Sequence, residues 1–298
     1  MSEVIIARNT VSIKTAIEEA LSHVNLDRII SGRVVAVKPN DTWASREDTS
    51  AVTQKDTLKS LLKILKRHTV SRLIVSGGAG AAETETVFEL TGMMDAVREE
   101  AAEFIDHNQG PFKEVSIKYA PEKGITGPQK SIMVNKNVLS YQSIVALSQL
   151  KVHNSADVTL ALKNIAMSFP AADYYGHSRE KMKHRHCFFD DLHVFIAGVV
   201  KRFPISLAVT VGHPAMIGRG PIGGETAETG LVIASADPVA ADAAGAALLG
   251  KNPASIRQIV LASEMGLGEY RLDRIRFPLI PLEEAVSILK ETYVPKDN

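Results

Sequence analysis

Between positions 151 and 164 the chain places Lys151, His153, Asn154, Asp157, Lys163 and Asn164 among residues apolar enough to face a core. Lysine brings positive charge, and asparagine both donates and accepts hydrogen bonds, so the pair suits an anion. A histidine titrates near neutrality and can therefore move a proton. The chemistry this grouping favours is binding of a small carboxylate or phosphate, with His153 as acid/base and Lys163 as its catalytic companion. The plain structural alternative is a helix starting near Ser155, capped by that serine, with Lys163 and Asn164 on its wet side. On such a helix Thr159 and Lys163 share a face at i, i+4.

Two other stretches offer groups to the same anion. The apolar run Arg33 to Val37 reads as a strand and ends in Lys38-Pro39-Asn40-Asp41, which puts Lys38 and Asn40 at a strand end. Further on, the loop from Ile217 to Glu225 carries Gly218, Arg219, Gly220 and Gly223. Its glycines would let backbone N–H groups approach a ligand, and Arg219 adds a cation. A third group, His177, His184 and His186, with Cys187 or Asp190 beside it, suggests a transition metal such as Zn or Ni. Arg179, Lys181, Lys183 and Arg185 oppose a bound cation there and favour a basic lid over an anionic ligand. Gly77-Gly-Ala-Gly80, between a strand and a helix, fails the dinucleotide pattern because Glu83 stands at the last glycine position. A tight turn is the better reading.

The elements that must hold these groups alternate. Val4 to Ala7, Arg33 to Val37, Arg72 to Ser76, Val115 to Lys118, Lys130 to Val134, Ser143 to Leu147, Ile205 to Val211, Leu231 to Ala234 and Arg276 to Ile280 read as strands. Helical periodicity covers Ser12 to Val24, a segment from Thr53 through Leu65 with Thr53 as cap, one from about Glu83, and Asp95 to Phe104. It returns over Phe188 to Val200, after the Asp237-Pro238 cap, and from Leu282. This alternation predicts an α/β fold, a mostly parallel sheet flanked by helices. The chain is read as one domain over 1–298, with a lobe boundary near 121–128 if a cleft divides it into two lobes.

Composition narrows the function. The 298 residues carry 34 basic and 34 acidic side chains, so no overall field draws the protein to nucleic acid or an anionic membrane. No apolar run is long enough to span a bilayer, and the first residues lack a secretory pattern, so a cytoplasmic location is expected. The single cysteine, Cys187, cannot by itself hold an iron–sulfur cluster. A homodimer is compatible with this composition, with no surface singled out.

Val34-Val-Ala-Val-Lys-Pro-Asn40, Leu150-Lys-Val-His153, Asp157-Val-Thr-Leu-Ala-Leu-Lys-Asn164, Gly218-x-Gly-Pro-x-Gly223, Ala234-x-x-Asp-Pro-Val-Ala-Ala-Asp242 and Gly266-Leu-Gly268 together resemble the DUF362 family. The resemblance implies an α/β fold but no activity, because the family is named for an unknown function. Many members look like iron–sulfur proteins through an appended Cys-rich segment, which this sequence lacks. Val211-Gly-His-Pro214 stands where the family usually shows an Asp-Gly pair, so His213 is a candidate replacement. The order His153, Lys163, His177 is also similar to that of the lactate racemase family, where a lysine anchors a nickel-pincer cofactor. Leu160-Ala-Leu-Lys163 lacks that family's glycine-rich approach to the lysine. A binding or regulatory protein using the same cleft without turnover is the non-enzymatic alternative.

Overall fold

The computed structural model describes residues 1–175 and 190–293. In chain order the first half comprises β1 (Ser2–Glu3), β2 (Ile5–Arg8), α1 (Ile13–Ser22), α2 (Leu26–Ile30), β3 (Val34–Pro39), α3 (Lys55–Leu65), β4 (Arg72–Gly77), α4 (Thr84–Leu90), α5 (Met93–Glu99) and β5 (Glu103–Asp106). Next come β6 (Phe112–Ser116), β7 (Ser131–Asn135), β8 (Ser143–His153), β9 (Asp157–Thr159), α6 (Ala161–Ala166) and α7 (Leu192–Arg202). The chain continues through β10 (Leu207–Ile217), β11 (Glu225–Ala227), β12 (Leu231–Ser235), α8 (Pro238–Leu248), α9 (Arg257–Glu264), β13 (Ile275–Arg276) and α10 (Leu282–Thr292).

The main sheet runs β2-β12-β10-β8-β3-β4-β5, with β9 and β11 as antiparallel additions to β8 and β10. Its centre is parallel, β10 to β8 to β3 to β4 to β5, and its β12 and β2 edge is antiparallel. Side chains alternate between the two faces, as the strand period of two requires. Val145 and Leu147 join Val35 and Val37 against α1 to α5, while Ile144 and Ala146 face α6 to α10 and the β6–β7 hairpin. Every position of β8 is buried, which suits a strand covered on both faces. The connection at 121–128 joins β6 to β7, and Ala120 and Ile125 enter the same core cluster as α6 to α10. Among the described residues no helix is long and apolar enough to cross a membrane.

Several local expectations change. Residues 155–160 do not begin a helix: Asp157 takes a positive φ of 61°, and Asp157–Thr159 folds back on β8, with Lys151 opposite Thr159. Thr159 and Lys163 therefore do not share a helix face. The helix expected over Asp95 to Phe104 stops at Glu99. Ala101, at φ 48°, turns the chain, and Phe104 enters β5 beside β4. Thr53 does not cap α3, whose N-cap is Gln54; its hydroxyl instead accepts from the Asn40 N–H at 2.9 Å. α2, β1 and the short strands β9 and β11 had no periodic signal long enough to read.

The expected Asp237 cap is present and does more than cap. Its carboxylate accepts from the N–H groups of Val239 and Ala240 at 3.0 and 2.9 Å, and from Ser2 Oγ and the Glu269 N–H at 2.5 and 3.0 Å. A Cβ at Gly268 would overlap that carboxylate, which is why the Gly266-Leu-Gly268 turn ends in glycine. Gly268→Ala is expected to cost about 1–3 kcal/mol by this overpacking. Urea denaturation should show a lower midpoint with unchanged slope; an unchanged midpoint would mean the turn relaxes freely.

Candidate functional site: a lysine-lined crevice

From β3 the chain goes through α3 to β4, on one side of β3. From β8 it goes through β9, α6 and α7 to β10, on the other side. Adjacent parallel strands whose connections part in this way leave a crevice beyond their carboxyl ends, where ligands of open α/β sheets bind. Lys38, Asn40 and Asp41 stand at the end of β3, Lys151 near the end of β8, and Lys163 and Asn164 on α6.

All three lysines are buried. Lys38 is fully enclosed, and its ammonium donates to Asp41 Oδ1 at 2.6 Å and to the Pro39 carbonyl. The second Asp41 oxygen accepts from the Gly78 N–H at 2.7 Å. Ser168 Oγ donates to the Gly78 carbonyl at 3.0 Å, and the Ser168 backbone lies so close that Gly78 has no room for a Cβ. Close packing, then, explains this part of Gly77-Gly-Ala-Gly80. Burial pulls the Lys38 proton affinity down, with Asp41 opposing.

Lys151, also fully enclosed, donates to the Ala51 carbonyl at 2.5 Å. Its neighbour on the same strand face, Gln149, donates to the carbonyls of Ser50 and Pro214. Burial pushes the Lys151 amine well below its ordinary range, and the charge of Lys163 pushes it further. Lys163 is 7% exposed, and among the described residues its amine has no hydrogen bond or ion pair. Burial alone brings its pKa down to about 7. Asp41 pairs with Lys38, and the charge of Asp106 also favours that ammonium.

The asparagines join the elements together. Asn164 Nδ2 donates to the Lys38 carbonyl at 3.0 Å, which ties α6 to β3, and Asn40 Nδ2 lies 3.5 Å from Asn164 Oδ1. Among the described residues buried Asn40 Oδ1 has no hydrogen-bond partner. The cap of α6 comes from far away in sequence: Asp242 of α8 accepts from the N–H groups of Ala161 and Leu162 at 2.8 and 3.0 Å. The small residues of α8 permit this approach, and a Cβ at Gly245 would press on the end of the Leu160 side chain at 3.0 Å. Burial pushes the Asp242 carboxyl up to about 7, although both N–H groups favour its charged form.

The remaining sequence candidates fall around this crevice or elsewhere. His153 is two residues past Lys151 on the same face of β8; it is buried, and Nδ1 accepts from the Ser155 N–H at 3.0 Å. The glycine loop docks on the turn beyond it: the Asn154 N–H donates to the Gly220 carbonyl at 3.1 Å, and the Gly220 N–H to Asn154 Oδ1 at 3.3 Å. Gly220 is required because a Cβ would overlap the Val152 carbonyl. Gly218 and Gly223 have positive φ of 70° and 65°, and Arg219 is exposed. His213 is engaged by two carboxylates, Asp56 at 3.0 Å and Glu228 at 2.7 Å, which raise its pKa to about 10. His177, His184 and His186 lie outside the described residues, as does Cys187. Among the described residues no group of three or more His, Cys, Asp or Glu is arranged to hold a metal.

Sequence reasoning missed Asp41, Asp242 and the neutral, fully buried His107. His107 Nδ1 lies 2.9 Å from the Ser168 carbonyl, and burial drives its pKa to about 3. A signal existed for Asp242: a lone carboxylate within the small apolar run Pro238 to Leu248 must find buried donors.

Removing the Asp242 carboxylate as Asp242→Leu would leave two buried N–H groups unpaired, at a cost of about 2–5 kcal/mol in denaturation. Its pH dependence has a fixed sign. The folded-state pKa lies above the ordinary 3.8, so this stabilisation is complete below about pH 4 and fades as pH rises through about 7. The stability difference between wild type and Asp242→Asn should shrink over that window. A pH-independent difference would mean that the buried carboxyl titrates normally.

Comparison with known proteins agrees with the sequence resemblance. The model of a domain of unknown function, DUF362, matches residues 35–247, and the chain belongs to that family. No curated protein matches the sequence. Among solved structures the chain is similar to the lactate racemase apoprotein from Thermoanaerobacterium thermosaccharolyticum, with 13% identity and a TM-score of 0.48. That similarity covers 71% of this chain and 50% of the other, so this chain spans about half the length of that protein.

Proposed function

We propose that this DUF362 protein binds a small carboxylate or phosphate in the crevice between β3 and β8. The observation that carries the reading is the burial of Lys38, Lys151 and Lys163 around the ends of β3 and β8, with Asp41 paired to Lys38. Enclosing an amine in a protein interior is costly unless something restores its solvation. Among the described residues Lys38 has Asp41, Lys151 has one carbonyl, and Lys163 has neither. An entering anion supplies the missing partner to the last two. Arg219 and the glycine loop are assigned to the mouth of the same site, and Asn40 and Asn164 to its floor.

Anion entry has a protonic signature. Both Lys151 and Lys163 hold their protons weakly when the crevice is empty of charge, and a neighbouring anion raises their affinity. Binding near pH 8 should therefore take protons up. Calorimetric titration with oxalate, malonate or inorganic phosphate, repeated in two buffers of different ionisation enthalpy, should show that uptake. Lys151→Met should weaken binding about tenfold or more, roughly 1.4 kcal/mol, and reduce the uptake. Binding that is buffer-independent and equally tight in the variant would place the anion elsewhere.

For catalysis we assign His153 as acid/base. Its Nδ1 is held by the Ser155 N–H, which leaves the proton on Nε2 in the neutral ring. The expected activity is proton exchange at a carbon next to the bound carboxylate. Deuterium wash-in to malonate, followed by proton NMR, should occur with wild type and stop in His153→Gln while malonate affinity stays within about threefold. Undiminished wash-in in the variant would remove His153 from the chemistry. No wash-in with wild type would favour a binding protein without turnover.

A further inference from the structure

We propose that Lys163 binds its ligand covalently, its side-chain amine condensing with the keto group of a small 2-oxo carboxylate seated in the crevice. This rests on the anion-binding reading above and adds to it the ligand's reactive group. An enclosed lysine ordinarily ends on an acceptor, as Lys38 does on Asp41 and Lys151 on Ala51. Lys163 ends on none among the described residues, although α6 is pinned by Asp242 at its start and by Asn164 to the end of β3. A rigidly placed amine without an acceptor is arranged for a partner that arrives from outside. Three buried atoms without a partner among the described residues, Asn40 Oδ1, Thr159 Oγ1 and Gln149 Oε1, belong to the elements around α6: the end of β3, β9 and β8.

The chemistry needs a lone pair on nitrogen. Burial supplies it, since near pH 7 about half of an amine with this proton affinity is neutral, a fraction roughly a thousandfold above that of an exposed lysine. The Lys163 nitrogen attacks the keto carbon, the C=O π pair moves to oxygen, and a proton passes from nitrogen to that oxygen to give the carbinolamine. The hydroxyl takes a second proton from the medium and leaves as water while the nitrogen lone pair forms the C=N bond. The product is a protonated imine, and no oxidant or reductant is required. Lys151 faces the ligand's carboxylate, which separates the charge-binding amine from the bond-forming one. In this proposal Thr159, across the hairpin from Lys151, and Asn40 are assigned to the carbinolamine hydroxyl.

The test is borohydride trapping of wild-type protein with pyruvate, read by intact mass and peptide mapping. One reduced adduct per chain, on Lys163, is expected. It should be absent in Lys163→Arg and Lys163→Met, and slowed at least about tenfold when oxalate occupies the crevice of the wild type. The oxalate experiment needs no variant, so misfolding of either substitution would not obscure the answer. No adduct, an adduct spread over exposed lysines, or one that bound oxalate does not slow would overturn the proposal. Oxalate binding with proton uptake but no pyruvate adduct would sink the imine and leave the anion site standing. A Lys163 adduct without oxalate binding would support the covalent role and sink the anion reading.

Discussion

The enclosed ion pair of Lys38 and Asp41 is the constraint on which the carboxyl edge of the sheet depends. A fully buried ammonium is tolerable only with a close counter-charge, and an Asp three residues on is near enough only if the chain turns sharply after Pro39. That turn puts the other Asp41 oxygen on the Gly78 N–H, so the ends of β3 and β4 are fixed relative to each other. Ser168, just beyond α6, then closes on Gly78. One ion pair thereby fixes the side walls of the crevice. Both members of the pair also act on Lys151, Asp41 raising its proton affinity and Lys38 lowering it.

The second organising contact is the capping of α6 by Asp242. α6 has six residues, too few to be stable alone, and its first N–H groups need acceptors that its own sequence lacks. Leu160, at the N-cap position, has no side-chain acceptor, so α8 provides one. The helix that carries Lys163 and Asn164 is thus set by a long-range interaction. Its position follows the packing of α8 on the sheet, with Asn164 tying it to the end of β3.

Much of this was legible in the sequence, for physical reasons that differ by element. β3, β4 and β12 announce themselves as apolar runs because strands covered on both faces need them, and Asp237-Pro238 marks a helix start by chemistry confined to two residues. Lys38, Asn40, Lys163 and Asn164 could be grouped because polar residues crowd the ends of those runs. The β8–β9 hairpin could not be read, since it depends on one positive φ at Asp157 and on three residues of pairing. The true extent of β8 was hidden by the residues that matter most: Gln149, Lys151 and His153 look like the end of a strand, yet they are its buried continuation. Asp242, and Asp41 in its hold on Gly78, act through partners about 80 and 37 positions away, a distance over which no local pattern extends.

The segment between Asp41 and Lys55 contains the chain's only tryptophan, Trp43, and offers the Ser50 and Ala51 carbonyls to Gln149 and Lys151. A free lysine side chain samples many rotamers, and freezing them on ligand binding opposes affinity. Here the Ala51 carbonyl has already immobilised Lys151 during folding. One donor is tethered to the backbone and the amine's remaining hydrogen-bonding capacity is pre-aimed, so the entropy of ordering that side chain is lost before any ligand arrives. The loop serves as a permanent placeholder that preorganises the lysine and, through Trp43, carries a built-in fluorophore two residues from the buried ion pair.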